Sequence, residues 1–167
     1  MARLLVVHHA PTPAVAALRD AVLAGARDDA IEGVDVLDRS ALDAASPDGA
    51  REVLDADGFV LLTPANFGYM SGALKHFFDT VFLHVGGALG DDGGAGGDTT
   101  SGPRQPFGLV VHGRYDTTGA VRSVLAITGA LPWRQATETL ELLGDVGEDE
   151  RAAAYEVGAT IAALLVP

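Results

Sequence analysis

The 167-residue chain has no cysteine and one lysine, Lys75, the other ten basic residues being arginine. Without cysteine there is no disulfide, no thiolate nucleophile and no thiolate-bound metal. Long apolar runs are missing too. Nothing approaches the roughly 18 residues that a membrane-crossing helix needs. The opening stretch MARLLVVHH is too short in its apolar part for a secretory signal, so a cytoplasmic location is expected. Positive charge is scarce: 11 basic against 23 acidic residues leave a net charge of −12. That disfavours nucleic acid and anionic membranes, whose phosphates need a basic face. Aromatics are few, at 6%, but hydrophobic residues reach 48%, enough for the core of one domain spanning 1–167.

Short apolar runs recur at 3–7 (RLLVV), 34–37 (VDVL), 58–62 (GFVLL) and 107–112 (FGLVVH), with a weaker one at 134–142 (RQATETLEL). The runs at 4–7 and 59–62 are apolar throughout, as strands buried on both faces are. Between the runs, apolar residues fall at helical spacing: Val15, Leu18 and Val22; Leu74, Phe77, Phe78 and Val81; Val121, Val124 and Leu125; Val157, Ile161, Leu164 and Leu165. Thr12-Pro13 and Ser46-Pro47 each offer a hydroxyl N-cap followed by proline at the first helical position. Strand and helix alternate five times, which implies a five-stranded parallel sheet covered by helices on both faces, a three-layer α/β/α arrangement.

The segment GGALGDDGGAGGDTTSG, 86–102, breaks the pattern with eight glycines in seventeen residues. It reads as a flexible insertion over 86–105, between the third helix and the fourth strand. No glycine-rich phosphate motif occurs in it. Asp91, Asp92 and Asp98 lack calcium-loop spacing and read as solvated.

In open parallel sheets ligands bind beyond the carboxyl ends of the strands, where the strand order reverses. Three segments qualify: 8–14, 63–71 and 112–118. In the order 2-1-3-4-5, the first and third strands flank the reversal. Receiver domains share that order but need acidic residues after the first strand and an aspartate ending the third. His8-His9 and Thr63-Pro64 stand there instead.

The stretch TPANFGYMSGALKHFFD, 63–79, carries the most specific signal. Thr63, Pro64, Met70, Ser71, Gly72, Leu74, Lys75, Phe77 and Asp79 are similar to a pattern found in the flavodoxin-like NAD(P)H-dependent FMN reductase and quinone reductase families. The strand-helix alternation extends the resemblance over nearly the whole chain except the glycine-rich insertion. It implies a flavodoxin-like fold of strand order 2-1-3-4-5, FMN as cofactor and NAD(P)H as electron donor. It also implies a small-molecule acceptor and a homodimer or homotetramer. Pro64, Ala65, Asn66, Phe67, Gly68 and Tyr69 become flavin neighbours. Aromatics such as Phe67 and Tyr69 can stack on the ring face, while free backbone groups bond its edge. The plainer reading is a turn whose aromatics cap the sheet.

The resemblance makes 10–15 the phosphate segment, at a helix N-terminus. Thr12 keeps a hydroxyl there, Pro13 replaces a glycine and removes an amide, and Val15 replaces a hydroxyl. His8 and His9 point to opposite sides of a strand end, so at most one of them, His9 or its neighbour, can donate to the phosphate. Otherwise both cap the sheet edge. His112, Gly113, Arg114 and Tyr115 would border the ring, Gly113 permitting close approach. Arg114 would stabilise the charge a flavin gains on reduction, or else pair with Asp116. His112 and Tyr69 are candidates to donate a proton or hydrogen bond to a quinone-like substrate, with positioning the simpler role for His112. His76 is expected exposed and Trp133 buried near the fifth strand. No metal site is indicated.

Two other readings stay open: an electron-transfer module without a nicotinamide site, and a cofactor-free binding protein of flavodoxin shape.

Overall fold

Runs that are apolar on both faces can only be satisfied in the middle of a covered sheet, and they lie there in the computed structural model, which describes residues 1–85 and 104–166. The elements follow in chain order: β1 (Ala2–His8), α1 (Pro13–Ala26), β2 (Val34–Ser40), α2 (Ala41–Ala44), α3 (Pro47–Asp55), β3 (Gly58–Asn66), β4 (Tyr69–Met70), α4 (Gly72–Val85), β5 (Gln105–Gly113), α5 (Thr118–Thr128), β6 (Trp133–Gln135), β7 (Leu140–Leu143) and α6 (Glu148–Ala163). The glycine-rich insertion read at 86–105 lies outside the described residues up to 103, and Gln105 already belongs to β5.

The parallel path runs β2-β1-β3-β5-β6, with β7 also paired to β5. In terms of successive parallel strands this is the expected 2-1-3-4-5 order. The last position is filled by two pieces rather than one strand over 134–142. Phe107 faces Gln135 and Val110 faces Leu140, so four residues, 136–139, stand opposite two. Thr137 packs over Gly108, where an added Cβ would lie 3.2 Å from its Oγ1. The excursion therefore fills space that a side chain on β5 would otherwise take.

Alternate residues of the central strands feed two cores. Leu5, Val7, Phe59, Leu61, Leu109 and Val111 pack against Leu74, Phe77 and Phe78 of α4 and Val124 of α5. Leu4, Val6, Val60, Leu62 and Val110 pack against Val15, Leu18 and Val22 of α1 and Ile161 of α6. Each buried Leu, Val or Phe stabilises the fold by about 1.5–3 kcal/mol. Trp133 is buried and stacks on Phe59 with ring centroids 4.1 Å apart. His76 is exposed. The α6 stripe is shorter than its spacing suggests: the helix ends at Ala163, leaving Leu164 half exposed, while Leu165 packs near Gly58.

Helices α1 and α6 cross at close range. A Cβ on Gly158 would lie 2.0 Å from the Val22 carbonyl oxygen, and one on Gly25 would lie 2.0 Å from that of Tyr155. Tyr155 Oη also donates to Asp28 past the end of α1. Among the described residues no helix is long and apolar enough to cross a membrane.

Candidate functional site

The parallel register brings the carboxyl ends of the strands to one level. His8 stands beside Leu62, Pro64 beside His112, and His112 beside Leu142. From there β1 leads to α1 on one face and β3 leads to α4 on the other, which opens a crevice between them.

The first wall is the segment leading into α1. Thr12 caps the helix as its dipeptide suggests. Its backbone is extended, its Oγ1 accepts from the Val15 N–H at 3.4 Å, and Pro13 follows at the first helical position. His8 is buried on the α1 side, with Nε2 3.0 Å from Asp38 Oδ1, close in distance though not aligned as a hydrogen bond. Burial pushes the His8 imidazole below its ordinary value near 6.5, against the opposing pull of Asp38. The His9 N–H donates to the Leu62 carbonyl at 3.0 Å, and its Nδ1 is buried without a protein partner.

The second wall, in segment 63–71, is a hairpin. Strand β3 continues through Asn66, turns, and returns as β4, with Asn66 paired to Tyr69 and Ala65 to Met70. The two turn residues, Phe67 and Gly68, have φ of 51° and 74°. Positive φ at both central positions is the two-residue hairpin that matches strand twist. Proline and glycine read as loop signals in sequence, whereas here Pro64 ends the pairing with β5 and Gly68 closes the hairpin. The base is fixed by Thr63, which is buried. Its Oγ1 accepts from the Ser71 N–H at 3.0 Å and donates to the Pro64 carbonyl at 2.9 Å. Ser71 Oγ in turn accepts from the Leu74 N–H at 3.2 Å and caps α4. Gly119 lets α5 approach the tip: a Cβ there would lie 2.0 Å from the Gly68 carbonyl oxygen.

Phe67 is thus a bulky residue in the left-handed region, which costs about 1–2 kcal/mol, and it is fully exposed at the hairpin tip. Burial does not offset that cost, and strain of this kind concentrates at binding sites.

The third wall is the end of β5. His112 Nε2 donates to the Gly144 carbonyl at 2.7 Å, and the Gly144 N–H donates to the Gly113 carbonyl at 2.9 Å. Arg114 Nη1 lies 2.7 Å from Asp145 Oδ1. The alternative partner considered from the sequence, Asp116, instead accepts from the Thr118 N–H at 2.9 Å, which holds its carboxyl below the usual range. The hydrogen bond that Arg114 donates to Asp145 holds its guanidinium above its ordinary value. Tyr115 is 89% exposed. Thr117 is buried and donates to Glu141 Oε2 at 2.6 Å.

Two adjoining clefts result. The larger, about 690 Å³, lies between Thr12, Pro13, Ala14 and Ala17 on α1 and His112, Arg114, Gly144, Asp145 and Val146 opposite. The smaller, about 280 Å³, has Ala65, Phe67 and Gly68 on one side and Arg114, Tyr115 and Asp116 on the other. Arg114 lines both. Of the residues singled out from sequence, Thr12, Ala65, Phe67, Gly68, His112, Arg114 and Tyr115 come together around the clefts. Pro64, Asn66, Tyr69 and Gly113 support them, and His9 lines neither. Sequence reasoning missed Gly144, Asp145 and Val146. The turn-forming GDVG at 144–147, after the fifth strand, was their available signal. Among the described residues no group of three His, Asp or Glu is placed to hold a metal ion.

No protein-family model and no curated protein sequence matches the chain. Solved structures do. The flavodoxin, WrbA-like protein from Agrobacterium tumefaciens aligns with TM-score 0.73 at 16% identity, over 99% of this chain and 98% of that one. The fold is flavodoxin-like. A flavodoxin from the domain Archaea shares this flavodoxin-like fold with TM-score 0.72 at 14% identity, over 98% of each chain. So does the azoreductase from Bacillus anthracis str. Sterne, with TM-score 0.66 at 14% identity over 98% of this chain and 100% of that one. Identities of this size establish the fold.

Proposed function

We propose that the chain is a single-domain oxidoreductase that binds FMN at the strand ends, accepts electrons from NAD(P)H and passes them to a quinone, a free flavin or a similar acceptor. The observation that carries this reading is Phe67, strained and exposed at the hairpin tip, lining one cleft with Tyr115 at the crevice where a flavodoxin-like fold takes its ligand. The residues fit a flavin ring. Phe67 and Tyr115 offer apolar walls, and the 65–69 backbone offers polar groups to a ring edge. The neighbours in fold, two flavodoxins and an azoreductase, point the same way.

When bound, the flavin supplies two-electron chemistry, so no protein acid or base is needed for hydride transfer itself. The chain binds and orients. Phe67 of the hairpin and Tyr115 of the loop after β5 would hold the ring. Arg114 places a positive charge where both clefts meet. His112, with Nε2 engaged by Gly144, keeps the β5 end in register with the turn after β7 and can offer only Nδ1. Tyr69, partly exposed beside the tip, remains able to donate a hydrogen bond to an acceptor. A cytoplasmic location and self-association as a dimer or tetramer belong to the same reading, and sedimentation tests the latter.

The deciding assay adds NADH or NADPH to the FMN-loaded chain without oxygen. Bleaching of the flavin absorption supports the reductase. A flavin that binds but is reduced by neither nucleotide points to an electron-transfer module.

A further inference from the structure

The site that offers walls to a ring offers little to a phosphate. Prolines stand at 11 and 13, so no two consecutive residues between 10 and 14 carry N–H groups. A backbone nest for an anion is built from successive N–H groups. Several of the donors nearby are engaged. The His9 N–H is bonded to the Leu62 carbonyl at 3.0 Å, and the Ala16 N–H to the Thr12 carbonyl at 2.9 Å. The Val15 N–H faces Thr12 Oγ1 at 3.4 Å. Pro13 has none to give. The Ala10, Thr12 and Ala14 N–H groups, separated from one another by the two prolines, and the Thr12 hydroxyl proton are what this segment still offers.

Side chains do not make up the difference. Arg114 is paired with Asp145, whose carboxylate lines the same cleft and would face any incoming anion. Arg19 is held by Asp20 at 2.6 Å. His112 Nε2 is engaged by Gly144, and neither His8 nor His9 lines the cleft. The net charge of −12 adds long-range repulsion.

We infer that this site recognises the flavin ring and not its phosphate, so that riboflavin binds nearly as tightly as FMN. The inference rests on the flavin reading above and narrows its ligand class to flavins irrespective of the 5′ substituent. A flavin held by its ring alone also exchanges with free flavin in solution more readily than one anchored at both ends.

The test is a fluorescence-quenching titration of the flavin-free full-length chain with riboflavin and, separately, with FMN. The expected dissociation constants agree within about tenfold, because a phosphate gripped by even two charge-assisted hydrogen bonds would separate them by more than about a hundredfold. FMN binding more than tenfold tighter overturns this inference and leaves the flavin reading standing. Binding of neither flavin overturns both. Replacing both prolines, Pro11→Ala with Pro13→Ala, restores consecutive amides on the exposed segment. The expected result is a larger gain in affinity for FMN than for riboflavin. Equal constants for FMN before and after the substitution would contradict the role given to the prolines.

Discussion

Arg114 and Asp145, 31 residues apart in sequence, join the loop after β5 to the turn after β7 through a 2.7 Å contact at the wall shared by both clefts. The pair is neutral in itself, and Asp116 beside the smaller cleft leaves the surroundings slightly acidic. Arg114→Gln should lower the midpoint potential of bound flavin and Asp145→Asn should raise it. Both shifts are small, on the order of 10 mV, because the pair is solvent-screened. Potentiometry on the two variants checks the signs, and identical potentials in both would remove Arg114 from the redox account.

Phe67 trades stability for a surface. Phe67→Asn creates Asn-Gly, the preferred pair for this hairpin turn. Stability should rise by about 1 kcal/mol as the left-handed strain is relieved, and flavin affinity should fall at least several-fold. Urea unfolding and flavin titration on one preparation measure both. A variant that binds flavin as well as the parent would show that the aromatic tip is not a ring contact.

Gly158 sets the spacing of α1 and α6. Gly158→Ala places a methyl 2.0 Å from the Val22 carbonyl oxygen, and overpacking of this kind costs about 1–3 kcal/mol. Thermal unfolding should shift down by roughly 2–10 °C. A midpoint equal to the parent's would mean that the helices separate freely.

His8 couples stability to pH. Its folded value lies below the ordinary 6.5, chiefly through burial, so the unfolded chain binds the proton more readily. Stability from this group is therefore fully present above 6.5. It declines as pH falls from there towards the lower folded value. Unfolding midpoints measured from pH 7.5 to 5 should fall, and His8→Gln should flatten that part of the curve. The same slope in the variant would assign the effect to other groups.

The central strands were legible because two-faced burial leaves an uninterrupted apolar run, as at Val60 and Leu61. The α4 helix was legible because Leu74, Phe77, Phe78 and Val81 fall at core spacing, whereas its Ser71 cap emerged only in the structure. The hairpin at 63–71 was not, since Pro64 and Gly68 carry loop signals and a phenylalanine is an improbable first residue of such a turn. The break in the fifth strand comes where Val157, Ile161 and Thr137 close over Gly108, and the partner of Arg114 lies in a turn far along the chain. Neither leaves a local pattern. Clefts at the carboxyl ends of the strands were expected from the strand order, while their charge balance was not.

Equilibrium dialysis of FMN against the purified chain, with the visible spectrum read on the protein side, tests the central claim most directly. The account predicts one flavin per chain with an absorption spectrum perturbed from that of free FMN. Equal flavin on both sides with an unaltered spectrum would contradict it and leave a flavodoxin-shaped protein that binds something else.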